Sequence, residues 1–315
     1  MKSRENLEKN FVSAVVYVHN NEKQVQEFLQ MLHDILENHF LKYEIIMVND
    51  ASTDSSADKI RELAKQFEHS VVSILKMSYY QGLELSMNAG KNLAIGDYVF
   101  EFDDMDMDYA PEKIVELYKT ALTGYDIVSA SSSKGGKCSS KLFYRIFNRF
   151  SNAQYKLGTE RFRVISRRAL NRIDASSKAI PYRKAIYANC GLRFENVVYE
   201  PVTDAKKSYS KKQKRYREDL AVESLILHTN VAYKVSSVLT VTMMAVTFFA
   251  LIYTIIVFAT GNPVAGWTTT MLVLSFGFFG IFAVMSIMIR YMAIILNLNF
   301  KKQQVVFESI EKISK

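Results

Sequence analysis

The fold is decided by residues 97–108, which read Asp97-Tyr98-Val99-Phe100-Glu101-Phe102-Asp103-Asp104-Met105-Asp106-Met107-Asp108. The first half is a short run rich in aromatic and apolar residues, and it predicts a β-strand. The second half places four carboxylates directly after that strand. Crowded carboxylates repel one another unless a positive charge offsets them, and hard divalent cations bound by oxygen ligands do so. The run therefore predicts a cation site, with a solvated acidic loop as the alternative.

Three further strands are predicted upstream of this run, at residues 11–18, 43–48 and 71–76. A helix is predicted over residues 24–36, and Ser52 or Thr53 is suited to cap the helix that follows the second strand. Alternating strands and helices are typical of a mainly parallel sheet covered on both faces. Ligands of such sheets gather beyond the carboxyl ends of the strands. Polar residues after three of the four strands thus predict a binding site at that edge.

The chain of 315 residues changes composition near residue 235, from mixed polar and apolar segments to long apolar runs. This length and change fit a main domain with an appendage. Much of the net charge of +8 lies shortly before the apolar runs. Basic clusters beside apolar runs favour an anionic membrane surface and not nucleic acid, with a solvated linker as the alternative. The two cysteines form neither a metal-ligand spacing nor a disulfide framework, which fits a reducing compartment.

Two apolar runs, at residues 235–259 and 268–289, are each long enough to cross a hydrocarbon core of about 30 Å. Lysine and arginine flank the pair on both sides, whereas the connecting loop at 261–266 carries no charge. The positive-inside rule then places both chain ends in the cytoplasm. Residues 1–10 are polar and charged, unlike a secretory signal. We therefore predict an integral membrane protein with two spans, and a buried helical hairpin is the alternative.

Several ordered motifs between residues 12 and 114 resemble the nucleotide-sugar domain of family 2 glycosyltransferases, which have the GT-A fold. They are the strand and turn at 15–22, the strand and acidic turn at 44–54, the stretch at 81–90 and the segment at 94–98. The resemblance implies an α/β fold in which a mainly parallel GT-A sheet domain is followed by a two-helix transmembrane hairpin. It also implies a metal-dependent, inverting hexosyltransferase.

By that resemblance, Mg²⁺ or Mn²⁺ and the donor diphosphate lie at Asp104 and Asp106, with Asp108 as a further metal contact. Counting back from Pro111 favours Asp104 as the first residue of the metal motif, whereas counting forward from Gly96 favours Asp103. The nucleotide-binding candidates are Tyr17, His19, Asn21, Asp50, Asp104 and Lys207. The first three differ from the family's usual residues. The base is therefore left open between uridine and guanosine, with a UDP-linked sugar favoured over a GDP-linked one.

The segment at 141–151 has an apolar stripe at helical spacing flanked by Lys141, Arg145 and Arg149, and predicts either an interfacial helix or a core helix. It resembles the interfacial helix of polyprenyl-phosphate glycosyltransferases, the branch with dolichol-phosphate mannose synthase and bacterial undecaprenyl-phosphate enzymes. That resemblance implies a polyprenyl phosphate acceptor held by Arg145, Arg149 and Arg163. Glu160 stands where the family has a small acidic motif, and together with Asp104 and Asp106 it is a catalytic candidate.

The predicted organisation is a catalytic domain at 1–205 with an amphipathic helix near 139–151, a basic juxtamembrane segment at 206–232, two spans within 233–298 and a cytoplasmic tail at 299–315. The predicted partners are a nucleotide sugar, a polyprenyl phosphate lipid, a membrane (in bacteria the plasma membrane) and a second copy of the chain, without nucleic acid. Two rival hypotheses remain. One is a transferase of the same fold with a glycan hydroxyl as acceptor, and the other is a degenerate, membrane-tethered binding protein.

Overall fold

The computed structural model describes residues 7–68, 70–134, 138–151, 154–176, 182–202, 211–229 and 307–313, with scattered positions between 231 and 295. The chain divides into two units, residues 1–221 with 303–315, and residues 222–302. The described positions between 231 and 295 are helical. The rest of the region predicted to hold two spans, 233–298, lies outside the described residues. Within the described part, no helix combines the length and the apolar character needed to cross a membrane.

The first unit contains one eight-stranded sheet and most of the helices. The strands are β1 (Val12–Val18), β2 (Tyr43–Asn49), β3 (Val71–Met77), β4 (Tyr98–Phe102), β5 (Ile127–Ser132), β6 (Glu160–Ser166), β7 (Phe194–Tyr199) and β8 (Phe307–Ile313). The helices are α1 (Val25–His39), α2 (Ser56–Ala64), α3 (Leu83–Leu93), α4 (Glu112–Leu122), α5 (Cys138–Phe150), α6 (Arg167–Ser176), α7 (Arg183–Asn189) and α8 (Lys211–His228). The four strands and the first helix predicted from the sequence are confirmed, with bounds that differ by at most three residues.

The strand order is β7-β5-β6-β4-β1-β2-β3-β8. The central strands β4, β1, β2 and β3 run parallel, as predicted. Strand β6 runs antiparallel to both of its neighbours, and β8 pairs antiparallel with β3. The sheet is therefore mixed. Strands β5 and β7 pair in parallel and run in the same direction as the central strands, so the expectation of a mainly parallel sheet holds for six of the eight strands, with β6 and β8 reversed.

Two apolar layers cover the sheet, one on each face. Helices α1 and α4 pack on one face through residues such as Phe28, Leu29 and Leu117. Helices α3 and α6 cover the other face through residues such as Met87 and Leu170. All seven residues of β2 are buried, which explains its nearly continuous apolar sequence. Each fully buried large side chain contributes about 1.5–3 kcal/mol, so the layers hold the strand ends firmly in register.

The turn after β2 differs from the prediction. Helix α2 begins at Ser56 and not after Ser52 or Thr53, so neither of these residues caps it. Instead, Asp54 Oδ1 accepts a hydrogen bond from the Ser56 backbone N–H at 3.1 Å. Ser52 Oγ accepts from the Asn20 backbone N–H at 3.1 Å. Both predicted caps thus lie in a longer loop that ties the β1 and β2 ends together.

Strand β8 was not predicted, since the sequence suggested only a tail at 299–315. It pairs with β3 at six positions and extends the sheet at that edge. Two ion pairs accompany it, Arg61 with Glu311 at 2.7 Å and Lys76 with Glu308 at 2.8 Å. The strand therefore covers backbone groups of β3 that an edge strand would leave unpaired.

Candidate active site

The carboxyl ends of β1, β2 and β4 lie side by side at one edge of the sheet. Strand register places Val18 opposite Asn49, and Val16 opposite Phe102. The polar residues that follow these strands consequently share one edge, as the sequence predicted.

Asp50 is buried at this edge and its carboxylate accepts three hydrogen bonds. The donors are the Tyr17 hydroxyl at 2.9 Å, the Gln81 backbone N–H at 2.7 Å and the Gly82 backbone N–H at 2.8 Å. Burial, together with the charge of Asp50, raises the pKa of Tyr17 far above its ordinary value, so this hydroxyl stays protonated and donates. Gly82 has φ +83°, and a Cβ there would overlap the ring of Tyr216. The loop after β3 is thus closed tightly over Asp50.

His19 and Asn21 join the same cluster. His19 Nδ1 lies 2.7 Å from the Asp50 carbonyl oxygen, and its ring lies 4.6 Å from that of Tyr80. The side-chain oxygen of Asn21 accepts from the His19 backbone N–H at 2.9 Å, which shapes the turn after β1. The structure therefore brings Tyr17, His19, Asn21 and Asp50 together. Lys207, the remaining nucleotide candidate, lies outside the described residues.

A buried ionic network lies beneath the end of β4. Its members are Glu84, Glu101, Asp103, Arg163, Arg183 and Tyr187. Arg163 donates to Glu101 at 2.7 Å and to Asp103 at 2.5 Å. Arg183 donates to both of these carboxylates at 2.8 Å. Burial alone would raise the pKa of Asp103, but the two guanidinium groups outweigh burial and lower it.

This network bears on two sequence expectations. Asp103, one choice for the first residue of the metal motif, forms ion pairs with both Arg163 and Arg183. Asp104, the other choice, has the more exposed side chain. Arg163, expected at the acceptor phosphate, is buried and paired with two carboxylates. Its position differs from that of Arg145 and Arg149, which are exposed. The reason is that Arg163 stands opposite Glu101 in the β4–β6 register.

The other three aspartates converge on one guanidinium, that of Arg161. Arg161 donates to Asp106 at 2.6 Å and to Asp104 at 3.3 Å, and it also pairs with Asp108. Asp108 in addition accepts a hydrogen bond from the Tyr199 hydroxyl at 2.9 Å. Burial alone would lower the pKa of Arg161, but Asp104 and Asp108 outweigh it, so the pKa is raised and the guanidinium stays charged.

A divalent metal ion is the ligand that the sequence predicted for this cluster, and the cluster can be compared with what such an ion requires. Carboxylate oxygens are the ligands that Mg²⁺ and Mn²⁺ prefer, so the donor set is suitable. In the arrangement seen here the Arg161 guanidinium pairs with one oxygen of each carboxylate, so a metal ion would have to share the three aspartates with that positive charge. Within the described residues, no three histidine, cysteine, aspartate or glutamate side chains are arranged to hold a metal ion. We therefore assign no reaction step to a metal.

Glu160 opens β6 and lies in a basic, buried setting. Its carboxylate accepts from the Gly158 backbone N–H at 2.6 Å and pairs with Lys184 at 3.2 Å. Burial would lower the pKa of Lys184, but Tyr144 and Glu160 outweigh it and raise the pKa, which keeps the ammonium charged. Glu160 is therefore held inside the domain by an ion pair and a backbone hydrogen bond.

The predicted amphipathic helix is confirmed as α5, and it is partly buried. Phe147 is fully buried, whereas Leu142 is 54% exposed and Arg145 and Arg149 are exposed at helical spacing. The helix adjoins the site through Tyr144, whose ring faces the Lys184 ammonium at 6.0 Å. One face therefore packs on the domain, and the other presents an apolar side chain beside two arginines.

Residues 13–191 match the family model described as Glycosyl transferase family 2. The chain belongs to glycosyl transferase family 2. A curated relative, an uncharacterised glycosyltransferase of Synechocystis sp., is 28% identical over 60% of this chain and 60% of its own length. Another, an undecaprenyl-phosphate 4-deoxy-4-formamido-L-arabinose transferase of Photorhabdus laumondii, is 31% identical over 48% of this chain and 45% of its own length. The chain thus spans at most about three fifths of the length of the curated relatives it matches first.

A solved structure supports the fold of this family 2 glycosyltransferase domain. Mannosyl-3-phosphoglycerate synthase from Rubrobacter xylanophilus has a TM-score of 0.50 and 18% identity, over 69% of this chain and 74% of that one. At that identity the likeness concerns the fold alone. The α/β mixed sheet is accordingly of the GT-A type, as the sequence resemblance implied.

Four groups at the site of this family 2 domain were missed by sequence reasoning. The Gln81 and Gly82 amides that hold Asp50 are backbone groups, which a sequence motif indicates only indirectly. Arg183 gives no local signal, because its partners are 80 or more residues away. Glu101 did give a signal, since a carboxylate inside an apolar strand requires a buried cation. Arg161 directly follows Glu160 in the sequence, but nothing local showed where its guanidinium lies.

Proposed function

We propose that this chain transfers a sugar from a nucleotide-sugar donor to a polyprenyl phosphate at the cytoplasmic face of a membrane, giving a polyprenyl-phosphate sugar. Membership of glycosyl transferase family 2 supports the donor class. The relative from Photorhabdus laumondii, whose name gives undecaprenyl phosphate as its acceptor, supports the acceptor class. A UDP-linked donor is preferred over a GDP-linked one in this proposal.

The observation that carries the acceptor is helix α5. Arg145 and Arg149 lie one helical turn apart and are exposed, with Leu142 exposed beside them. Exposed arginines next to an apolar side chain suit a helix at a lipid interface, where guanidinium groups bind phosphate in a bidentate manner. Helix α5 also contacts the Lys184 region, which adjoins the ionic network under Asp103. An acceptor phosphate held by α5 would therefore be close to the aspartate edge.

The path of the chain supports an even number of membrane crossings. Residues 1–221 and 303–315 belong to one unit, because β8 pairs with β3 in the same sheet. The segment 222–302 therefore begins and ends on the same side of any membrane that it crosses. Two spans, as hydropathy and the positive-inside rule predict, satisfy this condition. We propose on these grounds that the sheet domain and both termini are cytoplasmic.

The proposed reaction needs little proton transfer. A lipid phosphate is ionised near neutral pH, so its oxygen attacks the anomeric carbon without a general base. The new carbon–oxygen bond forms as the bond to the nucleoside diphosphate breaks, and the bonding electron pair leaves with that diphosphate. Attack from the opposite side inverts the anomeric configuration. Asp50 and its neighbours would bind the nucleoside, and the arginines of α5 would position the acceptor.

The test uses the full chain in vesicles containing undecaprenyl phosphate, with radiolabelled UDP-sugars and GDP-sugars supplied in turn. Label in an acid-labile lipid supports the proposal. Arg145→Gln with Arg149→Gln should raise the KM for the lipid about tenfold, which equals about 1.4 kcal/mol. The KM for the donor should not change. The matched control, Lys65→Gln with Lys119→Gln, removes two exposed charges elsewhere and should leave both constants unchanged.

The same experiment separates the rival hypotheses. Label found only in a polymer would show a glycan hydroxyl acceptor and refute the lipid proposal. That reaction needs a carboxylate base, and the pairing of Glu160 with Lys184 argues against one at this position. No transfer or donor hydrolysis with any sugar would indicate a degenerate binding protein.

A further inference from the structure

We infer that Arg161 is a built-in counter-cation of the aspartate cluster and competes with divalent metal ions for Asp104, Asp106 and Asp108. The observation is that one guanidinium pairs with all three carboxylates. The inference does not depend on the sugar or the acceptor, so it stands or falls separately from the proposed transfer reaction.

The backbone fixes the position of Arg161. Phe162 pairs with Phe102 in the antiparallel β4–β6 ladder, and their rings stack in the core at 5.7 Å. In the β5–β6 pairing the register shifts at this point, because Phe162 stands opposite Ala130 and Glu160 stands opposite Ser131, so Arg161 occupies the irregular position between them. The Asp103 backbone N–H donates to the Arg161 carbonyl at 3.0 Å. The guanidinium is therefore presented to the cluster by a rigid strand and not by a loop.

The charge and shape of Arg161 make it a direct competitor of a metal ion. Three carboxylates and one guanidinium leave a formal charge of −2, so the cluster remains attractive to cations. The Arg161 side chain is only 13% exposed, which strengthens its ion pairs relative to those at a surface. A guanidinium donates from a planar fork and accepts no hydrogen bond. It engages one oxygen of each carboxylate, so a metal ion at the cluster would have to displace these ion pairs or bind against the repulsion of the guanidinium charge.

The experiment measures Mn²⁺ binding to the purified full chain without nucleotide, by electron paramagnetic resonance of the free ion. Arg161→Gln should bind Mn²⁺ at least about tenfold more tightly than the wild type. Adding Asp106→Asn to Arg161→Gln should reverse that gain, which would locate the ion at the cluster. Arg161→Lys keeps the charge but loses the fork, and should give an intermediate affinity.

The matched control is Arg168→Gln, which removes an arginine that pairs with Asp126, and it should bind Mn²⁺ as the wild type does. Equal affinities of the wild type and Arg161→Gln, or a weaker affinity in the variant, would overturn the inference. If Arg161→Gln lacks the native circular dichroism spectrum, Arg161→Lys decides in its place. A Mn²⁺ affinity above that of the wild type then supports competition, and an equal or weaker affinity refutes it.

Discussion

Arg183→Met is the most informative test of the ionic network beneath the site. The native guanidinium donates to Glu84 at 2.9 Å, and to Glu101 and Asp103 at 2.8 Å. Its side chain is 1% exposed, so water cannot replace it easily. Methionine keeps the apolar stem and removes only the charge and the donors. Arg163 then pairs with Glu101 and Asp103 alone, and Glu84 loses its guanidinium partner.

The size of the effect follows from these contacts. Three hydrogen bonds to charged groups, at about 1.5–3 kcal/mol each, set an upper range of about 4.5–9 kcal/mol. Arg163 still holds Glu101 and Asp103, which brings the expected loss to the 3–5 kcal/mol typical of a broken buried ion pair. Such a loss is a large share of the 5–15 kcal/mol by which folded domains are commonly stable.

Urea unfolding of the full chain, followed by far-ultraviolet circular dichroism, measures this loss. A loss of 3–5 kcal/mol with a slope of about 3 kcal/mol per M moves the midpoint down by about 1–2 M. The control is Lys113→Met, which breaks an exposed ion pair with Glu116 and should cost no more than about 1 kcal/mol. A loss below about 1 kcal/mol in Arg183→Met would refute the account of the network.

The pH dependence provides a second check with a definite sign. The pKa of Asp103 and that of Glu101 are lowered in the folded state, because the arginines outweigh burial. Each carboxylate therefore stabilises the fold at pH values above its unfolded pKa of about 4, and this stabilisation declines as the pH falls further. The difference between the wild type and Arg183→Met should accordingly be full at pH 7 and shrink below about pH 4. A difference that grew on acidification would contradict the charge assignment.

Three further predictions concern the nucleotide pocket and the sheet edge. Gly82→Ala forces a left-handed backbone and a Cβ that overlaps Tyr216, so it should cost about 1–3 kcal/mol in stability and weaken UDP binding by calorimetry. Tyr17→Phe removes one of three donors to buried Asp50 and should cost about 1.5–3 kcal/mol. Because the pKa of Tyr17 is raised, the wild type should bind UDP unchanged from about pH 7 to about pH 9. Deleting residues 307–313 should lower stability by about 2 kcal/mol or more and speed hydrogen exchange in β3; unchanged exchange would show that β8 does not protect that strand.

The central strands were predictable because buried strands consist mainly of apolar residues, and such runs are visible in the sequence. The seven residues of β2 are all buried, and the run Tyr43 to Asn49 is accordingly almost continuously apolar. The helix α1 shows its core positions at helical spacing, and Val25, Phe28, Leu29, Leu32 and Leu36 are all buried. Local patterns of this kind reflect which face of an element meets the core.

The direction of β6 and the existence of β8 were not predictable from local patterns. A strand's apolar alternation is the same whether its neighbour runs parallel or antiparallel, so the sequence of β6 does not show its direction. Strand β8 is mostly exposed, so it has little apolar signal. Its pairing is also distant, since Arg61 and Glu311 are 250 residues apart. The energy of such pairing comes from backbone hydrogen bonds, which form with almost any residue type and therefore give no sequence signal.

The candidate site was predictable in its carboxylates and not in their partners. The crowding of aspartates after β4 indicated that a cation is required there, and the sequence interpretation supplied a metal ion. The structure supplies Arg161, which is 57 residues from Asp104 in the chain. Sequence reasoning could recognise an uncompensated charge, but it could not choose between a bound ion and a distant side chain.

The β4–β6 ladder explains why two arginines so near in sequence have different roles. Arg163 lies opposite Glu101, under the end of β4, where burial makes its pairs part of the folded core. Arg161 lies two residues earlier in β6, beyond the end of β4, and the register of the β5–β6 pairing shifts at this residue. Its guanidinium therefore meets the segment that turns through the aspartates. Loss of Arg163 should accordingly lower the stability of the domain as much as loss of Arg183, whereas loss of Arg161 should mainly change which cations the site accepts.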